Sequence, residues 1–288
     1  MDKQKRSPDL ADDCTHLIRT EAIEHLIYAP VPLRGYSIRA KSGGAVEEEF
    51  NEATKDWFVP FDENLYSDYT YESRVINAPF GSQRVYLSRI FRRPKLDDLG
   101  RDGQVCHIAS IPKEMISSGL LLRDVDSALA SFEEKNGIPV GKMESVTVSW
   151  DSQQDSKVVE DKDLQIMRSV VPEESARKLV SYLTESSDSK VYIVYKRGFF
   201  ERIQLVYALS KFLFSIDFPS YTVTSDCPME IILNYFANVV VSDFLPHLKP
   251  NSNWKIINLT PTTGSQNQSF QEKKKKIDDT FRNLYSPS

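Results

Sequence analysis

One stretch of the chain concentrates residues that could do chemistry: Gly100, Arg101, Asp102, Gly103, Gln104, Val105, Cys106 and His107. A histidine near a carboxylate can act as a general base, and an arginine can hold an anionic group through two parallel hydrogen bonds. Arg101, Asp102 and His107 therefore support one reading, a hydrolase or transferase centred on them. A plain turn uses the same residues: Gly100 and Gly103 tolerate positive φ, Asp102 caps the turn, and the histidine satisfies its nitrogens locally. The spacing brings no nucleophile and no third orienting group to the trio. That weighs towards a turn, with a recognition role between the two readings.

Two further clusters invite a binding reading. Arg84, Arg89, Arg92, Arg93, Lys95 and Arg101 form a basic strip that could contact phosphate, giving a nucleic-acid-binding alternative. Asp97 and Asp98 offset it, and strand alternation would divide it between two faces, so local ion pairs are the simpler expectation. The segment 29–35 is stiffened by Pro30 and Pro32 and carries Arg34, with Tyr36 just beyond. It reads as a docking loop or as the end of an edge strand. Candidate binding residues are thus Arg34, Tyr36, Arg89, Arg92, Arg93, Arg101 and His107.

Several chemistries lack their residues. There is no phosphate-cradling Gly-x-x-x-x-Gly-Lys-Ser/Thr run, no Gly-x-Ser-x-Gly elbow and no His-Glu-x-x-His pair. Cys14, Cys106 and Cys227 are too scattered for a disulfide framework or a four-ligand zinc site, so neither metal nor cofactor is expected. A net charge of −5 argues against a general nucleic-acid binder.

These residues need a scaffold, and the apolar patterning supplies one. With 288 residues, 40% of them hydrophobic, the chain can build a sizeable core. Strands are expected at 25–29, 35–42, 84–91, 105–111, 146–150, 191–195, 218–224, 239–241 and 254–259. Helices are expected at 46–55, from Leu122 to a stop at Gly137, and at 172–183, 200–214 and 229–236. The alternation predicts an α+β or α/β fold, with mixed sheets and helices packed on them in two similar-sized halves. The halves would span 23–150 and 164–260, joined by a polar connection at 151–163 and preceded by a polar segment at 1–22. After a Thr, Gly, Ser, Asn and Gln linker, Phe270, Ile277, Phe281 and Leu284 mark an amphipathic docking helix within 261–288. No apolar run approaches the length of a membrane span and the start of the chain lacks a secretion signal, so a cytoplasmic protein is expected.

Three segments, in order, resemble one family. A Leu26-Ile27-Tyr28-Ala29 strand leads to Leu33-Arg34-Gly35-Tyr36, Gly100-Arg101-Asp102-Gly103 precedes His107, and the helix 205–213 leads into 216–222. This pattern is similar to the N-terminal domain of the GTPase-associated proteins of prokaryotic GTPase-centred conflict systems, over about 23–260. Phe218-Pro219-Ser220-Tyr221 departs from that family's Phe-Ser-Thr-Tyr-like strand. The resemblance implies an adaptor beside a small GTPase or related NTPase, with a protein partner and no catalytic residue to carry over. It leaves the oligomeric state open.

Overall fold

The alternating segments form strands of one mixed sheet in this computed structural model, which describes residues 17–31, 35–54, 72–93, 103–152, 162–186, 189–225, 237–243 and 254–259. In chain order the elements are β1 (Leu17–Val31), β2 (Gly35–Ser42), α1 (Glu47–Thr54), β3 (Glu72–Ala78), β4 (Arg84–Arg93), β5 (Gly103–Pro112), α2 (Lys113–Ser117) and α3 (Leu122–Asn136). They continue with β6 (Gly141–Met143), β7 (Val146–Ser152), α4 (Lys162–Val170), α5 (Glu173–Glu185), β8 (Lys190–Val194), α6 (Phe199–Ser215), β9 (Tyr221–Ser225), β10 (Val239–Ser242) and β11 (Trp254–Asn258). The fold is α+β.

The strand order is β11-β8-β10-β9-β3-β4-β5-β1-β2-β6, with β7 paired to the first part of β1. The block β11-β8-β10-β9 is parallel, and β3 joins it antiparallel to β9, pairing Ile76 with Val223. Strands β8 to β11 thus form one run and β1 to β6 the other, and the β3–β9 ladder makes the sheet continuous across them.

Period-two alternation sends each strand's side chains to two faces. Val85 and Leu87 of β4, with Ala109 and Ile111 of β5, face the layer that holds α3, α4 and α6. Tyr86, Ile90, Cys106 and Ile108 face the other way, with Phe50 of α1. α6 is buried almost all round from Arg202 to Leu213, because it lies against both the sheet and α4.

Some bounds differ from expectation. β1 begins at Leu17 rather than His25, since its charged first part is held by the β7 ladder and not by apolar burial. β9 begins at Tyr221, β3 and β6 were not anticipated, and the short α2 and α4 fill the helical layer. Helix 229–236, the linker and the docking helix with Phe270, Ile277, Phe281 and Leu284 lie outside the described residues. No described helix is long and apolar enough to cross a membrane.

Candidate functional site

His107 sits on the helix-facing side of β5, where it is fully buried, and cross-strand register puts charged residues beside it. His107 pairs with Arg89 of β4, and Arg89 pairs with Arg74 of β3, so three cationic or basic side chains stand in a row across three strands. Two carboxylates of α3 answer them. Asp126 and Glu133 are seven residues apart, about 10.5 Å along a helix, close to two strand spacings of about 4.8 Å each. The match lets one helix face serve all three strands.

Asp126 Oδ1 accepts from Arg74 Nε at 2.7 Å and from Arg89 Nη1 at 2.8 Å. Glu133 takes Arg89 bidentately, Nε at 3.0 Å and Nη2 at 3.3 Å, and lies 2.8 Å from His107 Nδ1. Arg74 Nη2 also donates to Glu72 at 2.6 Å. Burial alone would lower the pKa of Arg74, but Asp126, Tyr207 and Glu72 outweigh it and raise the value. Burial, then the Asp126 charge, push the Tyr207 phenol well up, so it stays neutral.

On its other side His107 meets His25 of β1. His107 Nε2 is 2.7 Å from His25 Nδ1, and His25 Nε2 donates to the Glu144 carbonyl at 2.7 Å. The Phe132 ring packs edge-on against His25 at 4.8 Å. This line of contacts constrains its protons. A carbonyl only accepts, so His25 Nε2 carries hydrogen, and a neutral His25 accepts at Nδ1. His107 Nε2 must then donate, which leaves a neutral His107 with a bare Nδ1 facing a carboxylate. Three contacts ended by acceptors need one proton more than two neutral imidazoles bring.

Burial pushes both histidines below their ordinary range, His25 to about 4 with the charge of His107 as the second cause. Glu133 works against this for His107. Burial would raise Glu133, but the His107 hydrogen bond and the Arg89 charge hold it low, hence ionised. The least costly seat for a third proton is therefore His107 Nδ1, against that carboxylate.

Of the alternative catalytic trio, Arg101 and Asp102 lie outside the described residues, and both nitrogens of His107 are engaged inside the molecule. The basic strip divides as alternation requires. Arg89 is buried in the α3 network, whereas Arg84 lies on the α1 face, where it reaches Ser110 at 3.1 Å. Sequence reasoning missed His25, Arg74, Asp126 and Glu133. The available signal was an acid seven residues from another acid on the apolar face of α3.

Three of the predicted binding residues lie at one end of the sheet. Arg92 pairs with Gln104 and Arg93 with Gly103, and the Tyr36 hydroxyl accepts from Gln104 N at 3.1 Å. Tyr36, Arg92 and Arg93 therefore share the sheet end at which Val31, Gly35, Arg93 and Gly103 flank 32–34 and 94–102. Arg34 itself lies outside the described residues. Pro30 sits past the last β1–β5 pair, Tyr28 with Cys106, so its missing N–H interrupts no ladder there.

Among the described residues no group of three or more His, Cys, Asp or Glu is placed to hold a metal ion. Burial pushes the Cys106 thiol up to about 12, so it is not a ready nucleophile. No family model matches the chain, and neither a curated protein nor a solved structure matches it significantly.

Proposed function

We propose that this chain is a non-catalytic, cytoplasmic interaction module that docks beside a small GTPase or related NTPase. One observation carries the reading: the described residues bordering 32–34 and 94–102, namely Val31, Gly35, Arg93 and Gly103, lie at a single sheet end, which Tyr36 and Arg92 share. Loops carried at one end of a rigid sheet suit recognition. The burial of His107, with both ring nitrogens engaged, supports binding over turnover, since a general base must reach the proton it abstracts. The partner class comes from the family resemblance.

Docking is tested by capturing partners from native lysate on the immobilised full chain, with GTP and GDP analogues in parallel. An NTPase enriched in one nucleotide state, and lost when Arg92→Glu and Arg93→Glu are combined, supports the reading. Capture that ignores the nucleotide, or survives the double variant, removes it. Deleting 270–288 should weaken the same capture without lowering the melting temperature, because the helix is assigned to docking.

A further inference from the structure

A second feature lies on β2, away from the buried network. Between Ile27 and Tyr28 of β1 the opposite strand advances from Ala40 to Ile38, so Arg39 is the extra residue of a β-bulge. Bulges re-aim a side chain. Arg39 Nη1 is fixed by the Pro30 carbonyl at 2.6 Å, and its buried Nε has no hydrogen-bond partner. Next along β2, Lys41 stands directly opposite Lys142 of β6.

Like charges directly opposite destabilise a sheet. Glu47 of α1 answers Lys41 at 2.6 Å, which leaves Arg39 and Lys142 without a carboxylate among the described residues. All four line one open groove of about 680 Å³, with Ser37 and Asn51 as neutral hydrogen-bonding groups. The charge in the groove is three cations against one acid, and the volume falls within the range of small-molecule sites, about 300–1,000 Å³.

From this we infer that the groove binds a small phosphate ester of mononucleotide size. Arg39 and Lys142 hold the phosphoryl oxygens, while Ser37 and Asn51 face the rest of the ligand. Guanidinium and ammonium groups on neighbouring strands give the charge-assisted contacts that a phosphate dianion accepts. The excess cation at the Lys41–Lys142 pair, unfavourable in the empty groove, becomes favourable once the anion is in place. The inference does not rest on the docking reading.

The test uses the full chain in titration calorimetry and thermal melting, with AMP and GMP, the matching nucleosides, and inorganic phosphate. AMP or GMP should bind and raise the melting temperature, and binding should weaken at high salt. The nucleosides should fail to bind, and inorganic phosphate should bind more weakly than the esters. Lys142→Ala removes an exposed side chain and should weaken ester binding about tenfold or more. Arg39→Gln should do the same. Binding of nucleosides as strong as of their monophosphates, phosphate binding equal to ester binding, no binding by any phosphate compound, or unchanged affinity in Lys142→Ala would each overturn the assignment.

Discussion

At the scale of single residues, the two histidines govern the acid response. His25 has a folded pKa of about 4, below the usual value near 6.5. Between those values the unfolded chain binds a proton that the folded one refuses. Stability is therefore full above about pH 6.5 and falls as the pH drops towards 4, by roughly 3 kcal/mol from His25 alone. His107 shifts in the same direction. Urea denaturation across this range should show the decline, and His25→Gln should flatten it; an unchanged slope in that variant would assign the effect elsewhere. Nitrogen chemical shifts should report His25 at neutral pH as the neutral Nε2–H tautomer. Glu133→Ala leaves Arg89 and His107 short of a buried carboxylate and should cost about 3–5 kcal/mol in the same denaturation experiment. The sequence marked His107 as notable but not its surroundings, because Arg89 and His107 meet only through β4–β5 register and His25 lies 82 positions away.

At the scale of elements, α3 is legible in advance almost to its ends. Val125 and Leu129 recur at helical spacing, and Gly137 closes the helix at φ +66. A Cβ at Gly137 would meet nothing within 4 Å, so Gly137→Ala tests backbone conformation alone. It should lower stability by about 1 kcal/mol in thermal melting. A neutral result would mean that the helix end relaxes out of the left-handed region. Elements held by polar pairing were harder to read. β3 carries Glu72, Ser73 and Arg74, whose partners are Ser225, Asp126 and Arg89 on other elements, so its local sequence offers little apolar alternation. The first part of β1 escaped notice for the same reason: Arg19, Thr20 and Glu21 are kept in strand by β7.

At the scale of the whole molecule, the fold class was readable from alternation of strands and helices, whereas the joining of the two strand blocks was not. Pairing between β3 and β9 depends on complementary edges, and Thr222 binding to Asn77 at 3.0 Å has no local signature. Helix α6, packed against α4, β3 and β9, ties the blocks together from above. The described body should therefore unfold as one unit. Hydrogen exchange should give amides of β4 and β8 the same opening free energy, and Val223→Ala should lower both together. Separate openings would show two independent units.

The same ladder has a consequence for synthesis. Ser73 of β3 hydrogen-bonds the carbonyl of Ser225, 152 positions later in the chain. At a translation rate of about 5–20 residues per second, the β3 edge stands bare on the nascent chain for on the order of ten seconds before β9 emerges. An unpaired strand edge invites pairing with other chains. Ribosome-bound chains stalled ahead of β9 should therefore be the most aggregation-prone form of this protein, and release of β9 from the exit tunnel the step that makes them safe.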